Sequence, residues 1–211
     1  MPDQREFAKL SLVIKVSGTA ISKYYPLVSL SVRHFLDQDS VAEITFADLT
    51  SEGGLFALSG GNDFLSETGL EILAGFGAGT EKSIFTGIIY KLSLNAGSSG
   101  FPSFVVHAIC KTIYDSTARS AAPDFDSAAV LKLKYGSSLI DFNAELSRDS
   151  RSNGNVQLLT GKITFLGTAG VNPGDLLELE GLGPRFSRKV FVSSLSHSIV
   201  DQEWMITAYF G

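Results

Sequence analysis

The sequence predicts an all-β protein built from two small antiparallel β-barrels with little helix. Apolar and polar residues alternate at a period of two in one segment after another, and glycine-rich turns separate these segments. Glycine (21 residues) and phenylalanine (15) are frequent, whereas proline (6) is rare. This composition favours many short strands joined by tight turns. About eleven strands and no helix are predicted.

The first half of the chain opens with the clearest strand. Leu10, Leu12 and Ile14 share one face of this strand, and Gly18-Thr19 follows as a turn. The same alternation predicts further strands at residues 28–33, 41–46, 69–76, 83–94 and 101–110. The glycine turn 77–79 joins two of them as a hairpin, because glycine accepts the backbone angles of such turns. These segments define a first barrel domain at residues 1–114.

A short polar segment separates the two halves. Residues 115–130 are small and polar around one proline and carry no helical stripe, so we interpret them as a linker or a truncated insert. Residues 131–211 form the second predicted barrel domain. Its strands are predicted at residues 131–135, 139–146, 156–166, 175–180, 189–199 and 204–210, with turns at 172–174, 181–184 and 201–202. The sequence shows no regular short repeat, although the two halves have a similar density of strands.

Charge and cysteine content exclude several classes of function. The chain has 17 basic and 22 acidic residues, a net charge of −5, and 18% charged residues, against ~25% in a typical domain. Nucleic acid is not an expected partner, since phosphate binding needs a basic surface. No run approaches the ~18 apolar residues of a membrane span. The single cysteine, Cys110, excludes an intrachain disulfide, and Met1-Pro2-Asp3 begins no signal peptide, so we expect synthesis in the cytoplasm.

Two motifs with possible chemistry have structural interpretations. The segment 75–83 resembles a phosphate-binding loop, but Glu81 stands where that loop needs glycine, which favours a hairpin turn. His34, His107 and His197 each fall within predicted strands without metal-ligand spacing, and we interpret them as structural. The sequence therefore predicts no metal site and no cofactor.

The remaining polar clusters indicate turns and contacts. The pairs Asp37 with Asp39 and Asp124 with Asp126 lie in turn-like segments, where aspartate caps the backbone. The one compact basic cluster follows the 181–184 turn and indicates a solvated or protein-contact surface; it contains Arg185, Arg188 and Lys189. No serine lies in a Gly-x-Ser-x-Gly motif, and Trp204 alternates within a strand as a core residue does. No catalytic residue is predicted.

The last third of the chain carries the most distinctive motifs. Residues 161–167, 172–186 and 190–199, followed by Trp204, closely resemble the closing segment of the VgrG spike family. That family includes the late control protein D-like hub proteins of contractile phage tails. Further blocks resemble the same hub in the same order, at residues 29–35, 42–48, 70–77, 84–89 and 135–146.

The motif residues of this resemblance specify backbone shape. In the turn Pro173-Gly174-Asp175, proline fixes one dihedral angle, glycine permits a positive φ, and aspartate caps the turn. We expect the same structural role for the other motif residues, which are Gly181, Gly183, Tyr135, Gly136 and Trp204.

The resemblance implies a non-enzymatic hub or spike subunit of a contractile injection apparatus. Such hubs carry two related barrels per chain, and three chains close into a pseudo-sixfold ring that joins the hexameric tube to the trimeric spike. The implied partners are two further copies of the chain, the tail-tube ring, baseplate components and the spike tip. The implied location is a phage tail, a baseplate or a secreted injection particle.

The chain departs from the hub pattern in two places. Hubs of this kind carry extra sequence near residues 115–134 and 147–155, and the composition changes abruptly near Arg119 and Ser150. We expect that ordered pieces of a longer chain are joined there. The alternative hypothesis is a carbohydrate-binding or cell-wall-hydrolysing β-sandwich, which would need Trp204, or Asp124 with Asp126, to face a groove. A plain interaction domain is the third hypothesis.

Overall fold

A computed structural model describes residues 9–22, 24–48, 56, 58–77, 79–97, 101–110, 125–148 and 157–211. The described residues form an all-β structure without helix, as predicted. Its thirteen strands are β1 (Leu10–Val16), β2 (Thr19–Ala20), β3 (Leu27–Phe35), β4 (Ser40–Ala47), β5 (Gly69–Phe76), β6 (Lys82–Asn95), β7 (Ser103–Cys110), β8 (Leu131–Lys134), β9 (Leu139–Arg148), β10 (Gln157–Leu166), β11 (Leu176–Glu180), β12 (Lys189–Val200) and β13 (Glu203–Phe210).

The strands form one continuous sheet in the order β2-β1-β5-β6-β7-β4-β3-β12-β13-β10-β9. Strand β11 pairs with β12 and carries β8 on its other edge. Every pair of named strands is antiparallel except β8 with β11, which is parallel. The β3–β12 pair links the two halves of the chain, so they share a sheet although their sequences are separated.

Two hydrophobic cores lie on the two halves of this sheet. The first core takes buried side chains from β1, β3, β4, β5, β6 and β7, and it also contains Ile199 and Trp204 from the second half. The second core takes buried side chains from β8 to β13. Strands β1 and β3 share the first core without pairing, so the sheet must curve around it. The division into domains at 1–114 and 131–211 stays a prediction, and residues 111–124 lie outside the described part.

The strand order reveals an internal repeat. The first half runs β1-β5-β6-β7-β4-β3, and the second runs β8-β11-β12-β13-β10-β9 in the corresponding order. Irregularities also correspond, because the β3–β4 register shifts at Val28 and the β9–β10 register shifts at Ile140. Both side chains are about half exposed, at 48% and 47%. The two halves are therefore copies of one six-strand motif, differing in the direction of β8 against β11.

Candidate functional site

The two halves of the chain meet where β12 pairs with β3. Residues 194–200 of β12 pair with residues 29–35 of β3 in antiparallel register. The inward side chains of this pairing are nearly all buried: Leu30, Val32, Leu195, His197 and Ile199 are each 2% exposed or less. The backbone pairing of β3 with β12 removes the free edge that each of these segments would otherwise present.

Two histidines meet at this junction. The Nε2–H of His34 donates to the carbonyl of Ile84 at 2.8 Å, and Nδ1 lies 3.0 Å from the Ser40 hydroxyl. The ring of His197 stands perpendicular to that of His34 with centroids 5.6 Å apart. Burial lowers the pKa of His34, against an opposing effect of its hydrogen bond to Ile84.

The second histidine is held neutral. Burial, with a smaller contribution from the charge of His34, lowers the pKa of His197 to about 3. The Nε1–H of Trp204 donates to Nδ1 of His197 at 3.2 Å, which fixes the neutral tautomer with its proton on Nε2. Both rings are held by hydrogen bonds within the chain, to the Ile84 carbonyl for His34 and to the Trp204 indole for His197.

Trp204 packs inside the first core. Its ring stacks on Phe76 with centroids 5.5 Å apart, and a Cβ added to Gly167 would lie 1.9 Å from its Cδ2 atom. With 2% of its surface exposed, Trp204 faces no groove. It therefore offers no stacking platform to a carbohydrate, which the alternative hypothesis required of it.

The Pro173-Gly174-Asp175 turn anchors β11 to β12. Gly174 adopts a φ of 98°, a conformation that favours glycine. Its N–H donates to the carbonyl of Val192 at 2.8 Å, and the Val192 N–H donates to the Asp175 carbonyl at 3.0 Å. The Asp175 carboxylate accepts from the Asn172 N–H at 2.7 Å, so it caps the turn.

The other motif residues cluster where β8 and β11 end. The Tyr135 N–H donates to the Glu180 carbonyl at 3.0 Å, and the Tyr135 side chain is 56% exposed. Three glycines at this end have positive φ angles, and they are Gly136, Gly181 and Gly183. Together with Trp204 and the 173–175 turn, these residues shape loops and packing.

The polar clusters do not converge on a catalytic arrangement. His107 Nδ1 lies 3.4 Å from Glu43 Oε2, in a shallow groove of about 320 Å³ that Arg33 and Tyr90 also line. Asp37 and Asp39 lie in the loop between β3 and β4, and Asp126 is exposed, whereas Asp124 falls outside the described residues. Within the described part of the chain, no three potential metal ligands come together.

The basic cluster contacts the chain itself. Arg188 Nη2 donates to the Arg185 carbonyl at 2.7 Å, and Lys189 Nζ donates to the carbonyls of Phe125 and Ser127 at 2.9 and 2.6 Å. Lys189 therefore ties the segment before β8 to β12, whereas Arg188 bonds within its own turn. Among the described residues, no helix has the length and apolar character needed to cross a bilayer.

A larger apolar groove opens between β1 and β3, which do not pair with each other. It has a volume of about 730 Å³, and its lining includes Leu10, Leu12, Ile21, Tyr25, Leu27 and Ile199. Strand β2 covers only the Lys15–Val16 end of β1.

Comparison with known families gives a match that covers well over half of the chain. The model described as "Alg8 N-terminal domain" matches residues 7–121 and 150–201. The chain belongs to the Alg8 N-terminal domain family. The family match leaves out residues 122–149, which contain β8 and β9. A comparison with the curated proteins gives no match.

Solved structures with this fold include several tail proteins. The tail protein from Neisseria meningitidis MC58 has a TM-score of 0.62 at 9% identity, covering 96% of each chain. The prophage MuSo2 43 kDa tail protein from Shewanella oneidensis has a TM-score of 0.60 at 7% identity, covering 96% of this chain and 98% of that one.

A third structure belongs to a secretion system. The E. coli c3393 protein is described as a component of the type VI secretion system with structural similarity to the T4 bacteriophage tail proteins gp27 and gp5. It has a TM-score of 0.50 at 10% identity, covering 93% of this chain and 76% of that one. The VgrG and tail hub-like fold predicted from the sequence is confirmed.

Proposed function

We propose that the protein is a non-enzymatic hub subunit of a contractile injection apparatus. The observation that carries this proposal is the repeat of one six-strand motif within a single continuous sheet. A chain with two equivalent motifs can present two similar faces to a partner ring. Tail proteins and a type VI secretion component share its fold, which supports the same assignment.

The repeat suits a homotrimer. Three copies of a two-motif chain supply six similar positions, which matches the six subunits of a hexameric tube, while the ring itself keeps threefold symmetry. Such a ring would join the tail-tube ring on one side to a trimeric spike on the other. Baseplate components and the spike tip are the further proposed partners, in a phage tail, baseplate or secreted injection particle.

The motif residues have a structural role in this proposal. Tyr135 follows the last residue of β8, and the 173–175 turn precedes the first residue of β11. Trp204 packs the second half against the first core. The places near Arg119 and Ser150, where we expect longer hub chains to carry extra sequence, lie outside the described residues.

The oligomeric state and tube binding test the hub role together. Light scattering during size-exclusion chromatography should give a mass three times that of one chain. The tube protein of the same particle should sediment with it. A monomer at every concentration that also fails to bind tube protein would contradict the hub role. Clearing of cell walls by the purified protein would contradict the non-enzymatic assignment.

A further inference from the structure

We propose that strand β9 of one copy adds to a free edge of strand β6 in a second copy. The number of copies in the resulting ring rests on the proposed trimer, but the choice of edges rests on the internal repeat alone. The β3–β12 junction is the template, because β9 corresponds to β3 and β6 corresponds to β12 in the repeat.

Strand β12 changes its partner at a defined residue. Val192 bonds through both its N–H and its carbonyl to the turn before β11, with distances of 3.0 and 2.8 Å. Its register with β13 then shifts between Val192 and Ser194. Beyond that irregularity, the same edge pairs with β3.

Strand β6 leaves its partner β5 in the same way, at Ile89. The Ile89 N–H donates to the Thr68 carbonyl at 2.9 Å, and its carbonyl accepts from the Glu67 N–H at 2.7 Å, again just before the paired strand, β5. The β6–β7 register shifts between Ile89 and Lys91. Beyond this point β6 pairs with β7, and no described strand covers its other edge up to Asn95.

Strand β9 is the corresponding free partner. It pairs with β10 on one edge, and on the other it makes only an isolated bridge from Leu139 to Tyr135 within the described residues. The chain thus pairs β3 with β12 internally, whereas their counterparts β9 and β6 each have an edge that no other strand of the described residues covers. An open edge of this kind pairs readily with another chain.

Side-chain burial differs between β12 and its counterpart β6, as this proposal requires. On β12, Leu195 is 1% exposed and His197 is 2% exposed. Their counterparts on β6 are Leu92, which is partly buried, and Leu94, which is 42% exposed. The side chains that β3 covers within the chain are therefore buried, whereas those at the open edge are not.

Side-chain burial differs in the same way between β3 and its counterpart β9. Leu30 and Val32 of β3 are 1% and 0% exposed. Their counterparts on β9 are Phe142 and Ala144, which are only partly buried at the margin of the second core. Covering such apolar surface favours association.

The ends of the β12–β13 and β6–β7 hairpins also differ in burial. Trp204, at the end of the β12–β13 hairpin, reaches into the first core. Its counterpart at the end of the β6–β7 hairpin is Pro102, beside Phe101, which is 84% exposed. We infer that Phe101 contacts the second half of the neighbouring copy.

The junction register transfers directly to the proposed pair. Ser196 lies opposite Arg33 and His197 opposite Val32 in the chain. The same register places Ser93 opposite Glu145 and Leu94 opposite Ala144 of the neighbour. Lys91 then lies diagonal to Glu145 on one face, and opposite charges at such positions attract. The pairing joins different edges, so it is a heterologous contact of the kind that generates a ring where the rotation closes, and it cannot form a twofold dimer.

Disulfide cross-linking tests the register. In a Cys110→Ser background, the Arg33→Cys/Ser196→Cys variant is the matched control and should form a disulfide within one chain. The Ser93→Cys/Glu145→Cys variant should instead form disulfides between copies, up to a product of three chains under non-reducing electrophoresis. Mixing the two single variants should give a linked dimer, because the two edges belong to different copies.

Charge reversal gives a second readout. Lys91→Glu should reduce the disulfide product of the Leu94→Cys/Ala144→Cys variant, whose two residues lie opposite each other in this register, about two- to fivefold, since a like charge then lies diagonal to Glu145. Adding Glu145→Lys should restore the yield.

The outcomes separate this inference from the hub role. A trimer by light scattering that forms the control disulfide but no Ser93–Glu145 link would overturn the pairing and leave the hub role standing. A disulfide between these two residues within one chain would also overturn it. Linked trimers that fail to bind tube protein would support the pairing and contradict the hub role.

Discussion

The Nε1–H of Trp204 donates a hydrogen bond to Nδ1 of His197 across 3.2 Å, and the two rings lie with centroids 5.8 Å apart. Both residues belong to the second half of the chain, yet Trp204 packs in the core of the first half. The β3–β12 pairing creates this arrangement by placing β12 at the edge of the first half. The neutral form of His197 is therefore coupled to the junction between the halves.

This coupling predicts a stability that depends on pH. The pKa of His197 is about 3 in the folded protein and ~6.5 when unfolded. The unfolded chain therefore binds more protons between these values, and the free energy of unfolding should fall as the pH drops from about 6.5 towards 3. The contribution is at most about 1.4 kcal/mol per pH unit. Urea unfolding at a series of pH values measures it.

The His197→Asn variant should reduce that slope, since asparagine keeps an acceptor for Trp204 but does not titrate in this range. His107→Asn is the matched control and should retain the slope that His197 contributes. An unchanged slope in His197→Asn would mean that another group causes the acid sensitivity.

Close packing of Trp204 on Gly167 predicts a sharp steric effect. The Gly167→Ala variant should lose about 1–3 kcal/mol of stability, because the new methyl group would overlap the indole ring. Gly97→Ala is the control, since an added Cβ there meets nothing within 4 Å. Chemical unfolding compares the two. Equal stability of both variants would contradict the packing described for Trp204.

A buried carboxylate, that of Asp48, binds two backbone amides. Asp48 is fully buried, and its oxygens accept the N–H groups of Leu58 and Ser59 at 2.8 and 2.9 Å. The Asp48→Ala variant should be destabilised by about 1–3 kcal/mol for each N–H left without a partner. Faster hydrogen exchange at the Leu58 and Ser59 amides would identify the cause. Unaltered exchange at both amides would show that the carboxylate does not hold them.

Equivalent leucines in the two halves should respond differently to truncation. Leu195→Ala removes a side chain that is 1% exposed and should cost about 2–5 kcal/mol of chain stability. Leu92→Ala removes its partly exposed counterpart, so it should cost less stability but weaken assembly of the chains. Thermal unfolding and light scattering separate the effects. A larger loss of stability in Leu92→Ala would contradict the proposed equivalence.

Strand positions follow closely from the local pattern. The predicted strand at residues 69–76 coincides with β5. The segment at 41–46 is one residue shorter than β4 at each end, and the segment at 189–199 is one residue shorter than β12 at its last residue. Alternation is a property of neighbouring residues, so the sequence displays it directly. The two-residue strand β2 was missed because it is too short to alternate.

The resemblance to hubs implied two related barrels, but the strand-by-strand correspondence was not predicted because the two halves preserve the character of their residues rather than their identity. Phe46 and Phe165 are the same residue at equivalent positions, but Leu30 corresponds to Phe142, and His34 corresponds to Leu146. A sheet needs apolar side chains of suitable volume on its inner face, and many combinations satisfy that need. Only strand order and register reveal the equivalence.

The sequence by itself determined the all-β class, most strand positions, the turns and the resemblance to tail hubs. The tertiary structure decided which strands pair, including β3 with β12 and the parallel β8 with β11. It also decided that Trp204 lies in the core of the opposite half. The physical reason is that alternation is local, whereas a strand's partner depends on contacts between residues far apart in the chain.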